Sequence, residues 1–189
     1  MNNSSISSAS EYRPKVFSDM IGQDAIVKTL SNAIKNDNIP QALLFCGPRG
    51  VGKTSCARIL AKTINDLKEN FEYNIFELDA ASNNSVEDIR SITDQIRIPP
   101  QIGKYKVYII DEVHMLSNAA FNAFLKSLEE PPKHVVFILA TTEKNKIIPT
   151  ILSRCQIYDF KKVDIESITK LLSNICKDKK IKFDENSLS

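Results

Sequence analysis

The residues best suited to chemistry are Gly47-Pro48-Arg49-Gly50-Val51-Gly52-Lys53-Thr54, which fit G-x-x-x-x-G-K-[ST] without a mismatch. In this pattern glycines let the backbone curl so that successive N–H groups point inward at a nucleotide β-phosphate. Lys53 is then expected to reach the β/γ-phosphates, and Thr54 to offer its hydroxyl to Mg²⁺. A second group is Ile109-Ile110-Asp111-Glu112, an apolar run that releases two carboxylates. Asp111 suits the Mg²⁺ shell, and Glu112 suits orienting and polarising an attacking water, because catalysis of phosphoryl transfer is mostly positioning and electrostatics. The plainer reading, two acids capping the next helix, loses ground beside a complete phosphate loop. Thr141 and Thr142 follow another apolar run, and either hydroxyl could hydrogen-bond the attacking water or a phosphate oxygen. Thr142 is favoured, with ordinary turn formation as the alternative. Arg154 lies in a polar turn, where it could be a surface ion-pair partner or a finger that neutralises transition-state charge in a neighbouring subunit's nucleotide. His114 and His134 have no spacing that suggests a metal pair and read as polar structural residues.

These groups can act together only if the fold gathers them at one edge. The run 42–46 reads as a buried strand delivering the chain to the loop, and the helix over 55–64 aims the positive end of its dipole at the same anion. Further strands are predicted over 74–78, 105–111, 135–140 and near 156–160. Ile26, Leu30, Ala33 and Ile34 recur at helical spacing and predict a helix over 23–35. Ser85 and Asp88 form a capping box for a helix with Val86, Ile89, Ile92 and Ile96 on one face, stopped by Pro99-Pro100. Phe121, Phe124, Leu125 and Leu128 mark another helix after Ser117, ended by Pro131-Pro132, and the stretch through Pro149 reads as a polar link. Strands alternating with helices imply an α/β fold, a doubly wound parallel sheet with right-handed crossovers, whose ligands bind at the carboxyl ends of strands. Beyond Lys162 the pattern changes. Asp164 caps a helix bearing Ile165, Ile168, Leu171, Leu172 and Ile175 with no strand to follow. The expected organisation is a disordered Ser/Asn-rich tail at 1–10, a nucleotide-binding domain at 11–162 and an incomplete helical module at 163–189.

With 42% hydrophobic and 25% charged residues, the chain has the composition of an ordinary water-soluble globular protein. No apolar run approaches the roughly 20 residues of a membrane span, and the start lacks the basic-then-apolar order of a secretion signal, so a cytoplasmic location is expected. The four cysteines, Cys46, Cys56, Cys155 and Cys176, form no C-x-x-C pair and are expected as free thiols. A net charge of +2 does not mark a stand-alone nucleic-acid binder.

The phosphate loop, Asp111-Glu112-Val113-His114, the threonine pair and Ser153-Arg154-Cys155, in that order, resemble the AAA+ clamp-loader ATPases. Tyr12-Arg13-Pro14, Gly22-Gln23, Glu77 to Ser82, Asp111 to Leu116, Leu128 to Pro132 and Ile151 to Cys155 narrow the resemblance to the gamma/tau subunits of bacterial DNA polymerase III, over roughly residues 11 to 175. The resemblance implies a P-loop AAA+ domain with a five-stranded parallel sheet flanked by helices, followed by the start of a small helical lid. It implies an ATPase that uses ATP and Mg²⁺ within a hetero-pentameric ring of clamp-loader subunits. That ring places a sliding clamp on primed DNA, within a holoenzyme whose polymerase activity this chain does not itself carry. Carried over by motif, residues 47–54 bind ATP, Thr54 and Asp111 hold Mg²⁺, and Asp111 with Glu112 forms Walker B. Thr142 is sensor 1, Arg154 is the finger acting in trans, and Arg13 and Pro14, with the Ile21-Gly22-Gln23 turn, border the adenine. Residues 82–85 and the helix after them face DNA, although Asn83 and Asn84 bring it no positive charge.

The sequence departs from that family in two places. The segment 65–73 is short and cysteine-free where family members carry a four-cysteine zinc module, so no zinc is expected. The lid and collar are unfinished at Ser189, so weak ATP binding and very low turnover are expected of the chain alone. The rival readings are a nucleotide-dependent scaffold subunit of the same complex and a DExH-type helicase, the latter from Asp111 to His114 but without a second RecA-like domain.

Overall fold

The computed structural model describes residues 11–66 and 73–179. Strands β1 (Ala42–Cys46), β2 (Ile75–Asp79), β3 (Lys106–Asp111), β4 (Val135–Thr141) and β5 (Gln156–Asp159) form one parallel sheet in the order β2-β3-β4-β1-β5. Every residue of β1 and β4 is buried, as a parallel sheet covered on both faces requires. The period-2 alternation of side chains divides the core between those faces. Leu43, Phe45, Val107, Ile109, Val136 and Ile138 pack with α1 (Asp24–Lys35) and α2 (Lys53–Asn65), whose contributions include Leu30, Cys56, Ala57 and Leu60. Leu44, Tyr108, Ile110, Phe137 and Leu139 face α3 (Val86–Gln95), α4 (Asn118–Glu129) and α5 (Pro149–Leu152) through Ile89, Phe121, Phe124 and Ile151. Phe124 meets Phe137 edge-on at 5.0 Å, and Phe76 stacks on Tyr108 at 4.9 Å.

The helix starts follow their polar residues. Ser85 Oγ accepts the Asp88 N–H at 3.2 Å while the Asp88 carboxylate accepts the Ser85 N–H, also at 3.2 Å, the reciprocal capping box that the sequence predicts. Ser117 caps α4 through the Ala120 N–H, and Asp164 caps α6 (Ile165–Asp178) through the Ser167 N–H. No residue of α6 is buried, and Ile165 stands 73% exposed, so the apolar face of this helix is unpartnered among the described residues.

The structure departs locally from the predicted boundaries. β2 and β3 each begin one residue late, because Asn74 and Tyr105 are held in a separate polar knot. Asn74 Nδ2 donates to Tyr105 O at 3.1 Å, and Asn65 Oδ1 accepts the Tyr105 N–H at 2.7 Å. β4 runs one residue further, to Thr141, which pairs with Cys46 of β1. The link through Pro149 contains the single-turn helix α5, too short to show an apolar period, with the proline at its start. The expected tail at 1–10, residues 67–72 of the shortened segment and the stretch 180–189 lie outside the described residues. Among the described residues, no helix is long and apolar enough to cross a membrane.

Candidate active site

β1 ends at Cys46 and hands the chain to the phosphate loop beside the end of β4, where the Gly47 N–H donates to Thr141 O at 3.2 Å. Two loop positions require glycine, Gly47 by backbone packing and Gly52 by its left-handed φ. A Cβ on Gly47 (φ 149°) would lie 2.5 Å from the Phe160 carbonyl oxygen, and one on Gly52 (φ 96°) 2.9 Å from Met20 Cε. Gly52 is also the N-cap of α2, so the loop runs directly into the positive end of that helix. Among the described residues, the N–H groups of Arg49, Gly50, Val51 and Gly52 find no protein acceptor. They are available to an anion.

Lys53 is 6% exposed and folds back over the loop, its ammonium donating to Gly47 O at 2.8 Å and Pro48 O at 2.7 Å. Burial pulls its pKa below the ordinary lysine value, and the Glu112 and Asp111 carboxylates push it back up. The Thr54 hydroxyl donates to Asp111 Oδ2 at 2.6 Å, joining the start of α2 to the end of β3. A hydroxyl and a carboxylate converging beside amides suited to phosphate are the hard oxygen donors that Mg²⁺ takes, so this part of the site fits that ion.

Glu112 leaves β3 in the left-handed backbone region (φ 47°), which turns its side chain away from the strand direction. Its Oε2 accepts the Thr142 hydroxyl at 2.9 Å and the Thr142 N–H at 3.2 Å. The two threonines thus separate by environment. Thr141 is fully buried, and its Oγ1 accepts the Glu143 N–H at 3.0 Å and lies 3.0 Å from His114 Nδ1. Thr142 is the one that meets the carboxylate.

The turn before α1 reaches the loop through Gln23, which is 3% exposed. Its Nε2 donates to Lys161 O at 2.8 Å and its Oε1 accepts the Lys161 N–H at 3.2 Å, and Nε2 also lies 3.5 Å from Val51 O. One side chain therefore fastens residues 21–23, the phosphate loop and the exit of β5 together. Arg13 is exposed and Pro14 half-buried, and neither makes a side-chain hydrogen bond to the loop among the described residues. Arg154 shares no hydrogen bond with Lys53, Thr54, Asp111 or Glu112. Its guanidinium donates to Glu129 Oε1 at 2.6 Å and to Thr150 O at 2.7 Å.

The structure thus brings together Lys53, Thr54, Asp111, Glu112 and Thr142 and leaves Arg154 on a separate pair with Glu129. Sequence reasoning missed His114, which stands against Glu112 and Glu143 at 3.4 Å each. Its position two residues after Glu112 was visible, but not the 3₁₀ turn (Val113–Met115) that folds it back. His134 has the structural role expected of it, a bond from its ring to Ile96 O at 2.9 Å.

Comparison with known proteins puts this geometry in context. The family described as "DNA polymerase III, delta subunit" matches residues 22–75 and 68–164. The DNA polymerase III subunit tau of Bacillus subtilis (strain 168) is 46% identical over 94% of this chain and 34% of its own length. Subunit tau of Escherichia coli (strain K12) is 42% identical over 95% of this chain and 31% of its own length, and subunit gamma of Buchnera aphidicola subsp. Baizongia pistaciae is 42% identical over 96% and 54%. The chain thus spans from 31% to 54% of the length of these curated relatives. Among solved structures, the RuvB Holliday junction branch migration motor of Thermotoga maritima superposes with a TM-score of 0.73 at 22% identity, over 94% of this chain and 58% of that one. A DNA polymerase III gamma subunit-related protein of the same organism gives 0.64 at 22% identity, over 80% and 53%. These two likenesses, at 22% identity each, show the fold alone.

Proposed function

This chain belongs to the DNA polymerase III family of tau/gamma- and delta-type subunits, and on that premise we propose that it binds and hydrolyses ATP within a clamp loader. In this reading it works in the cytoplasm in a hetero-pentameric ring of related subunits, and the ring loads a sliding clamp onto primed DNA during replication. The observation that carries the reading is the 2.6 Å contact between Thr54 of the phosphate loop and Asp111 at the end of β3, with Glu112 beside it held on Thr142. A nucleotide-binding turn and an acidic strand end are thereby parts of one site.

The proposed mechanism assigns each step to a residue. Amides of the 47–54 loop and the dipole of α2 bind the phosphates, and Lys53 exchanges the carbonyls of Gly47 and Pro48 for the β/γ-phosphate oxygens. Thr54 and Asp111 hold Mg²⁺, which when bound neutralises charge on the transferring phosphoryl group. Glu112 orients the attacking water and polarises it, while Thr142 fixes the direction in which the carboxylate points. Gln23 joins the turn that borders the base to the loop that binds the phosphates, and Arg13 and Pro14 complete the border of the base. Arg154 acts on a neighbour's nucleotide.

The test is ATPase of the chain assembled with its partner subunits and clamp, with and without primed DNA. DNA should stimulate hydrolysis. Lys53→Ala should weaken ATP binding, whereas Glu112→Gln should leave binding and lower turnover by about 100-fold or more, the scale of a positioned acid-base group. No hydrolysis above background by the assembled wild-type complex would sink the enzymatic reading and leave a scaffold, whereas turnover unchanged in Glu112→Gln would remove Glu112 from the mechanism.

A further inference from the structure

His114 occupies a place that no role assigned above explains. Its side chain is 6% exposed and sits where three elements meet: the 3₁₀ turn after β3, the end of β4 and the turn that follows β4. Nδ1 lies 3.0 Å from Thr141 Oγ1 and 3.4 Å from Glu112 Oε2, and Nε2 lies 3.4 Å from Glu143 Oε1. Glu143 is tied outward to Lys146 at 2.9 Å. The charged groups facing the ring are therefore Glu112 on one side and Glu143, with Lys146 behind it, on the other.

We propose that His114 is a positioning residue for Glu112, holding the carboxylate against Thr142 by bridging the turn after β3 to the turn after β4. The inference rests on the ATPase reading above, because it acts through Glu112. Glu112 leaves the strand in a left-handed conformation, and among the described residues its hydrogen-bonded support on the β4 side is Thr142, which grips Oε2 through both its N–H and its hydroxyl. A glutamate has three rotatable side-chain bonds, so a grip on Oε2 from the β4 side alone leaves the side chain room to swing. The imidazole supplies the second restraint. It stands against the same oxygen, and its own orientation is set by the buried Thr141 hydroxyl and by Glu143. Thr141 Oγ1 accepts the Glu143 N–H and keeps a second lone pair, so the tautomer with its proton on Nδ1 donates to Thr141 Oγ1 at 3.0 Å with Glu112 Oε2 beside it at 3.4 Å. The proposal also explains why the two adjacent threonines differ in burial: one holds the glutamate, and the other holds the histidine that packs on it.

The experiment uses the assembled complex and compares His114→Phe, which keeps a planar ring without nitrogens, with His114→Asn, whose amide can reach the place of Nδ1. Both are made alone and combined with Glu112→Gln, and ATP affinity, single-turnover hydrolysis and thermal melting are recorded. His114→Phe should lower turnover by about 10- to 100-fold, as displacement of a catalytic group by an ångström does, with ATP affinity within about twofold and melting still cooperative. His114→Asn should recover part of that loss. In the Glu112→Gln background, His114→Phe should add almost nothing, since the group it positions is already disabled. Equal losses in both backgrounds, unchanged turnover in His114→Phe, or no advantage of Asn over Phe in a folded, ATP-binding complex would overturn the positioning role while leaving the ATPase reading intact. Unchanged turnover in Glu112→Gln alone would overturn the role of Glu112 and the positioning proposal with it, and absence of hydrolysis by the wild-type complex would overturn the ATPase reading as well.

Discussion

At the scale of single residues, what distinguishes the site is which polar groups are spared the cost of burial. Lys53 and Glu112 each have oxygen or hydroxyl partners within the chain, and three thiols do not need any. Cys46, Cys56 and Cys155 are buried and free, and burial pushes their pKa values to about 11, about 12 and about 12 from an ordinary 9.0. The sign of the consequence is fixed. A folded-state pKa raised above the unfolded one means that the folded chain keeps protons the unfolded chain loses. The contribution is then complete below about pH 9 and is lost as pH rises through the folded values. Unfolding free energy measured in urea should therefore fall between pH 9 and 11 by about 1.4 kcal/mol per pH unit for each such thiol. Cys56→Ala should flatten that slope by one thiol's share even as it lowers stability overall. An identical slope in the variant would show that Cys56 ionises equally in both states. The phosphate loop, Asp111 and Glu112 were legible at this scale because phosphate chemistry constrains both residue type and spacing. His114 was not, because its role depends on a left-handed residue at 112, and nothing about a glutamate announces that conformation.

At the scale of elements, the sequence was most readable where one residue has a local job. Ser85, Ser117 and Asp164 each predicted a helix start, and each accepts a backbone N–H there. Strand boundaries were less readable, because Asn65, Asn74 and Tyr105 come from distant parts of the chain and exchange hydrogen bonds that no local pattern contains. α5 was invisible for another reason: Pro149–Leu152 is a single turn held by packing of Ile151 in the core, with no room for periodicity. The capping box of α3 permits a quantitative expectation. Ser85 Oγ caps Asp88 N and also donates to the Asp88 carboxylate at 2.7 Å, so Ser85→Ala removes both of these bonds while its N–H stays on the Asp88 carboxylate. It should cost about 1 kcal/mol, read as a lower urea midpoint with an unchanged denaturant slope. Ser85→Asp should restore much of it, since an aspartate accepts the same N–H. A loss no greater than that of an exposed surface alanine would show that the box is geometrically present and energetically idle.

At the scale of the whole molecule, the question is how one chain's sheet edge is linked to another's chemistry. The end of β4 carries Thr141 and Thr142 into the local site, and the same segment continues through α5 to Arg154, which in this chain is paired with Glu129 and the Thr150 carbonyl. The sequence left two roles open for this arginine, ion-pair partner or finger, and the intrachain pair does not decide between them. With side chains 32% and 45% exposed, an Arg–Glu contact at the surface contributes only about 0–1 kcal/mol, so it aims the guanidinium without committing it. A stronger ligand can take it. A phosphate group presented by an adjoining subunit would be such a ligand, because bidentate arginine–phosphate bonds are charge-assisted and geometrically matched. The structural and functional roles can then be separated. Arg154→Ala should shift the melting temperature of the isolated chain by little, leave its ATP affinity unchanged, and in a reconstituted ring lower DNA-stimulated hydrolysis by about 10³-fold or more, within the range of arginine fingers. Mixing makes the prediction specific to a neighbour. If the variant chain is placed so that its own nucleotide site is completed by a wild-type subunit, that site should still turn over, while the site next to Arg154→Ala should not. Loss of hydrolysis in the variant's own site, with the neighbour's intact, would assign the arginine to its own chain and return it to a structural part.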